Sequence, residues 1–350
     1  MTDVTQRNAR RTAADTQPMV LAFDVAVTQV QDLSATFRRI TFGGACLSAF
    51  GVAGDTLDLR IKITIPGRGR RCPDIAGLMR SGDPASWYQR WLGMEPAERG
   101  SMRTYTVRAA RCGGPAPEID VDFVLHLDAE GRGGPASEWA ATAQPGDTVC
   151  VIGPNSSAAQ CTTAGAYGGI EWSPGLAQHV LLAGDETAVP AVSAILEALP
   201  ADISGRAFLE VPDEQDVQHI DTRSSVSITW LARGGQPHGE LLEGAVRDAV
   251  RVPGWVSLAS SDEARGGREP EYVDIDRTIL WETPQRLEAA VVQSTVNPER
   301  PPGTQPFYAW IAGEAAVVRG LRRYLVRDVG VDRKQVAFMG YWRKGRAELS

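Results

Sequence analysis

The chain lacks most of the marks of a metal, membrane or nucleic-acid protein. No stretch approaches the roughly 20 apolar residues that cross a bilayer, and the best run, Val180 to Gly184, is strand-sized. Its five cysteines, Cys46, Cys72, Cys112, Cys150 and Cys161, are odd in number, widely spaced and without a C-x-x-C pair. That excludes a zinc ribbon, an iron–sulfur ligand set and a disulfide framework, and leaves scattered thiols in a reducing compartment. Lysine is scarce, with only Lys62, Lys334 and Lys344, so almost all of the 36 cationic residues are arginine. A net charge of −7 argues against non-specific nucleic-acid binding. There is no G-x-G-x-x-G, no H-E-x-x-H, and no Ser-His-Asp or paired-carboxylate signature. At the N-terminus, Arg10-Arg11 is followed by Thr, Ala and Asp, and the first apolar run stops at Phe23. No segment of secretory length follows, so residues 1–17 read as a disordered tail and the expected location is cytoplasmic.

What is present suits a folded chain of two domains. The 350 residues are 43% hydrophobic and 23% charged, an ordinary globular balance at a length that two cores can fill. From Pro18 to Asn155 the pattern is strand-like: Val20 to Val30, Ala35 to Phe42, Thr56 to Ile65, Thr104 to Ala109, Glu118 to Leu127 and Thr148 to Ile152 are rich in β-branched and aromatic residues. Six such runs suggest an antiparallel barrel over 18–155. Pro66 to Met102, with GRGRR and a Trp87/Trp91 stretch, reads as an excursion between strands, and Pro135 opens a helix over ASEWAATA. A Ser-, Ala- and Gly-rich stretch makes 156–175 a linker. Over 176–350 strands alternate with helices, which means a doubly wound α/β domain with a parallel sheet. Its strands are His179 to Gly184, Arg206 to Val211, Val226 to Leu231, Phe307 to Ala312 and Gln335 to Met339. Its helices follow Thr187, Gly239 and Glu314, the last stopping at Gly330. Gly254 to Gly303, polar and aperiodic apart from Thr278 to Trp281, reads as a long insertion.

Four segments carry chemistry. In Arg103-Thr104-Tyr105-Thr106-Val107-Arg108, strand alternation puts Arg103, Tyr105 and Val107 on one side and Thr104, Thr106 and Arg108 on the other. An aromatic plate, a hydroxyl and guanidinium groups together suit a flat ring carrying a diphosphate, and equally a plain barrel strand with solvated arginines. Gly133-Gly134-Pro135-Ala136-Ser137 opens a helix whose first amides could meet a phosphate, or whose Ser137 could simply front the helix. Leu182-Ala183-Gly184-Asp185-Glu186-Thr187-Ala188 runs from strand to helix, where open α/β sheets place ligands, although Asp185 and Glu186 could merely favour the helix start. Ala312-Gly313-Glu314 repeats that pattern. Near the end, Tyr341 and Trp342 stand beside Arg343 and Lys344, an aromatic pair with two cations that suits a planar or anionic ligand or an exposed terminus.

R-x-Y-T-x-R at 103–108, the run DVDFVLHLDAEGRGGPASEWAATAQPGDTVCVIGPNSS, then HVLLAGDETAVPAV and YAWIAGEAAVVRGLRRYLVRDVGVDRKQVAFMGYWRKGRAE, in this order, resemble the siderophore-interacting protein family. These are FAD-containing, NAD(P)H-linked ferric-siderophore reductases of the ferredoxin-reductase superfamily. The resemblance implies an FAD-binding barrel followed by an NAD(P)H-binding α/β domain. It implies that Arg103, Tyr105, Thr106 and Arg108 hold the FAD, with Tyr105 on the isoalloxazine and Thr106 at its reactive edge. It further implies His126 near the nucleotide part of the FAD, and Gly134, Ala136 and Ser137 at the diphosphate. Asp185, Glu186 and Thr187 would help seat the nicotinamide nucleotide, with Gly313, Glu314, Tyr341 and Trp342 near the flavin. Lys62, Arg343 and Lys344, and more weakly Arg132, are implied as cations that receive the anionic ferric chelate.

The implied reaction is reduction of a ferric siderophore, by a monomer that needs no nucleic acid, no membrane insertion, no protein metal and no catalytic acid, base or nucleophile, since the flavin carries the chemistry. A non-enzymatic siderophore-binding or iron-transfer protein, or a flavin reductase with another acceptor, are the alternatives. NADH or NADPH remains open, because a 2′-phosphate calls for an arginine that the sequence does not locate.

Overall fold

The computed structural model describes residues 17–67, 71–81, 86–250, 281–283 and 307–345. They fall into two compact units that part between Ile170 and Glu171. Nearly all of the expected tail and most of the expected insertion at 254–303 lie outside the described residues.

The first unit is built on seven antiparallel strands: β1 (Val20–Asp32), β2 (Phe37–Gly43), β3 (Arg60–Ile65), β4 (Ser101–Thr106), β5 (Ala109–Arg111), β6 (Glu118–Val124) and β7 (Thr148–Pro154), in the order β4-β3-β7-β1-β2-β6-β5. Alternation writes the inner face. Phe23, Val25 and Val27 of β1 and Ile61 and Ile63 of β3 are buried, while Asp24, Thr28 and Lys62 are exposed. A register shift between Val27 and Gln29 bends β1. The sheet curls far enough that Tyr105 on β4 packs against Phe123 on β6, 4.4 Å between ring centroids, although these strands are not neighbours in the ladder. This is the expected antiparallel barrel, left half open.

The excursion between β3 and β4 includes two short helices, α1 (Ile75–Arg80) and α2 (Trp87–Leu92). Asp74 begins α1 by accepting from the Gly77 amide at 2.6 Å. Ile75 and Trp91 then pack on Met102, Cys150 and Ile152. That covers the outer face of β4 and β7, so β7 is buried on both sides. Helix α3 (Pro135–Thr142) follows Gly134 and lays Trp139 against Phe42, stacked at 6.2 Å. The stretch expected as a linker is partly built: it has a helical turn at Ala159–Thr162 and buries Tyr167, Ile170 and Trp172.

The second unit holds β8 (His179–Gly184), β9 (Ser204–Val211), β10 (Ser225–Ala232), β11 (Trp281–Glu282), β12 (Phe307–Glu314) and β13 (Val336–Trp342), ordered β10-β9-β8-β12-β13-β11. All pairings are parallel except β11 with β13, so the expected parallel sheet carries one antiparallel edge strand. Helix α4 (Val189–Ala198) is apolar over most of its length and buried from Val189 to Leu196. Helices α5 (Glu240–Ala249) and α6 (Ala315–Arg322) join Leu181, Phe208, Ile311 and Phe338 in one core through Leu242, Val246, Val318 and Leu321. A widened π-helical turn over Arg323–Val329 continues α6 and stops at Gly330, φ +83°. The strand order reverses between β8 and β12, and the crevice at their carboxyl ends is where such sheets place ligands.

Candidate functional site

In the first unit the candidate residues gather on β3, β4 and the start of α3. Tyr105 is half-buried with one face on Phe123, and Thr106 is buried. The strand ends at Thr106. Val107 is therefore buried beside Thr106, and Arg108 donates its backbone amide to Asp120 at 2.8 Å. The strand expected to run through Arg108 therefore ends at Thr106, although the Val107 amide still donates to the Leu59 carbonyl at 2.9 Å before the chain crosses to pair with β6. Asp122, buried on β6, accepts from Nε and one terminal nitrogen of Arg39 at 2.6 and 2.8 Å, with Arg108 3.9 Å away. Arg103 donates to the Met102 carbonyl at 2.8 Å. Lys62 sits opposite Thr104 on the β3–β4 ladder and reaches its hydroxyl at 3.4 Å.

The start of α3 is built to be open. Gly134 carries no side-chain cap, and a Cβ there would meet nothing within 4 Å. At Gly133 a Cβ would lie 2.3 Å from the His126 carbonyl oxygen, so the chain must pass close to the end of β6 at that point. The Ser137 hydroxyl joins the two elements, accepting from the His126 amide at 3.3 Å and donating to the Val124 carbonyl at 3.2 Å. Glu138 takes the Gly133 amide at 3.0 Å. Arg132 is held at the surface by Asp128 and Glu130.

In the second unit a network of buried charge fills the crevice. Asp185, just past β8, accepts from Thr187 N at 2.9 Å, from the Thr187 hydroxyl at 2.5 Å, from Glu314 N at 2.7 Å and from the Trp342 indole N–H at 2.8 Å. Gly313, φ +143°, permits this, since a Cβ there would stand 2.6 Å from the Asp185 carboxylate. Glu186 pairs with both terminal nitrogens of Arg233, at 2.7 and 3.1 Å. Glu210, fully buried near the end of β9, takes the Gly239 and Leu242 amides at 2.7 and 2.9 Å and approaches Arg233 at 3.3 Å. Glu314 caps α6 through Ala316 N and Val317 N and also accepts from Lys344 N.

His238 faces the same carboxylates. Its Nε2 lies 3.4 Å from Asp185 and 3.6 Å from Glu186, a charge pairing without an ordinary hydrogen bond. Burial disfavours its charged form, but the two carboxylates together outweigh that and push the imidazole up to about 9. Its ring meets Trp342 edge-on at 5.1 Å. A cavity of about 440 Å³ opens beside it, lined by His238, Glu243, Glu314, Val317, Arg343 and Lys344.

The siderophore-interacting FAD-binding domain matches residues 26–158, and the siderophore-interacting protein domain matches 177–345. The chain belongs to the siderophore-interacting protein family. An uncharacterized protein of Mycobacterium tuberculosis is 32% identical, over 93% of this chain and 91% of that one. The ferric vibriobactin reductase of Vibrio cholerae is 26% identical, over 90% and 87%. Among solved structures, the siderophore-interacting protein of Aeromonas hydrophila superimposes with a TM-score of 0.58 at 27% identity, covering 95% of each chain. A siderophore utilization protein from T. fusca gives 0.59 at 24% identity, covering 95% and 97%, and supports the shared fold.

The family's FAD finds fitting chemistry in the first unit. The half-buried Tyr105 ring, the arginines around Asp122 and the uncapped helix start beside open space at Gly134 supply a plate, cations and amides. Several family-implied residues of the second unit have their polar atoms in use within the protein. The Trp342 N–H goes to Asp185, whereas Tyr341 is held by its ring, stacked on Trp281 at 5.8 Å. Asp185 and Glu314 serve amides, and Glu186 serves Arg233. Arg233, His238 and Glu210 escaped the sequence reading. The signal was available: two adjacent acids after a buried strand require cations, and Arg233 follows the end of β10.

Proposed function

We propose that this protein reduces ferric siderophores, using FAD held by the first unit and a nicotinamide nucleotide as electron donor to the second, and releases Fe(II) in the cytoplasm. The observation that carries this reading is the family match to an FAD-binding domain over a unit in which a half-buried tyrosine, Tyr105, and a helix start with open space at Gly134 are both present. Tyr105 would lie against the isoalloxazine, with Arg103 and Arg108 on the diphosphate and Thr106 at the ring edge. The amides of Ala136 and Ser137 would complete the diphosphate cradle, with His126 close by. Asp122 orients Arg39 and Arg108, so it is a positioning residue.

When bound, the flavin supplies the exchange of electrons arriving as a pair for electrons leaving singly. The substrate gains from that exchange, because hard oxygen donors hold Fe(III) much better than Fe(II). In the second unit Asp185 and Glu314 hold the two strand ends in register, and Gly313 lets them meet. Lys62, Arg343 and Lys344 are the cations offered to an anionic chelate.

The test is an anaerobic titration of the purified full chain with NADH and NADPH separately, with and without a ferric siderophore, followed at the flavin absorbance and with a ferrous-iron trap. Bleaching followed by iron release is the expected outcome. Bleaching without iron release would assign another acceptor. A colourless protein that cannot be reconstituted with FAD would assign a binding or iron-transfer role.

A further inference from the structure

We propose that the second unit selects NADH over NADPH, because Arg233, the arginine placed to meet a 2′-phosphate, is already neutralised by Glu186 and Glu210 and the neighbouring rim is acidic. This rests on the nicotinamide donor proposed above.

In a doubly wound sheet the adenosine ribose lies over the carboxyl ends of the strands beyond the switch point. There an acid reads the 2′-hydroxyl of NAD, or an arginine accommodates the 2′-phosphate of NADP. Here those strands are β9 and β10. Arg233 stands directly after β10 as the arginine of that edge, since residues 212–218 and 234–239 contain no Arg or Lys, and the other cationic group there, His238, already faces Asp185 and Glu186. Its side chain is only 12% exposed and both terminal nitrogens are committed. Turning it to a phosphate would strip the partner from Glu186 and Glu210, which are essentially excluded from water, and an uncompensated buried charge is strongly unfavourable.

Glu210 is equally committed, because its two oxygens hold the amides that start α5. The exposed acids of this edge are Asp213 and Glu214, in the turn that follows β9, and they would be the groups presented to a ribose there. A carboxylate accepts from a 2′-hydroxyl and repels a phosphate dianion at the same place. Glu214 makes no cap interaction of its own, whereas Asp213 holds Gln215 N at 3.0 Å and so fixes the turn. Glu214 is therefore the side chain to vary.

The experiment is calorimetric titration of the full-length flavin-loaded chain with NAD⁺ and with NADP⁺ at low and high salt, paired with flavin bleaching by NADH and NADPH. NADP⁺ should bind roughly tenfold more weakly, the effect of about one misplaced charge-assisted contact. The gap should narrow as salt screens the exposed acids. Glu214→Arg should raise NADP⁺ affinity several-fold, with its fold checked by circular dichroism. NADP⁺ binding as tightly as NAD⁺ while the flavin is still reduced would overturn the discrimination alone, and so would an unchanged ratio in the folded variant. If neither dinucleotide binds and neither bleaches the flavin, the nicotinamide donor itself is wrong and the discrimination falls with it.

Discussion

The start of α3 in the first unit is open, unlike that of α1, which Asp74 caps, and unlike those of α5 and α6 in the second unit, which buried acids fill. In the first, α3 begins at Gly134 with no side-chain cap and with space in front of it. In the second, Glu210 fills the start of α5, Glu314 fills the start of α6, and Asp185 takes the amide of Thr187 ahead of α4. An unsatisfied helix start is a standing demand for an anion. The contrast fits the proposed arrangement of a resident cofactor in one unit and a visiting donor in the other, since a site that is vacated on every turnover must be stable when empty.

The largest test of that contrast is to remove the hub of the second unit. Asp185→Ala strands two amides, a hydroxyl and an indole N–H and leaves His238 with one carboxylate, so unfolding free energy should drop by about 3–5 kcal/mol. Urea denaturation would measure it, and a loss under 1 kcal/mol would show that the crevice is not self-supporting. In the first unit, Arg108→Ala should act on the ligand instead. Flavin affinity should fall roughly 30-fold, about 2 kcal/mol, in a fluorescence titration, and an unchanged affinity would remove Arg108 from the cofactor site.

A smaller effect follows from His238, whose folded-state value is raised from the ordinary 6.5 to about 9. A raised value means that the stabilisation is complete below pH 6.5 and is lost as pH climbs through 9. Between those values the unfolding free energy should decline by about 2 kcal/mol, and in His238→Gln this decline should vanish. The groups facing the imidazole are Asp185 and Glu186, with Arg233 behind Glu186. The mildest test converts one helix start into the other kind. Gly134→Asp should stabilise α3 by about 0.5 kcal/mol and at the same time weaken flavin binding several-fold. A variant that gains stability and keeps its flavin would break the comparison.

Strands with a strict two-residue rhythm, such as Phe23-Asp24-Val25-Ala26-Val27, were readable because alternation maps directly onto two faces. Helix α6 was readable from Val318, Leu321 and Leu325 at helical spacing and from the stop at Gly330. The three-residue β5 was not, since Ala109-Ala110-Arg111 has no rhythm to detect. The antiparallel β11 is also too short to declare its direction. For the site, sequence identifies residues but not their partners. Trp342 and Glu314 look like ligand contacts in a strand-to-helix motif, and only the fold reveals that both are engaged with the protein itself. Arg233 and His238 come from a loop without a motif, and they reach Glu186 because β10 lies two strands from β8.

The bare Cα of Gly313 has a consequence for how such a crevice can change over time. Any side chain there would collide with Asp185, and Asp185 in turn fastens Thr187, Glu314 and Trp342, so this inner knot tolerates almost no variation. New preferences for the proposed donor or chelate would therefore arise at the solvent-facing margin, where Glu214 and Lys344 can be exchanged one at a time without loosening what lies beneath.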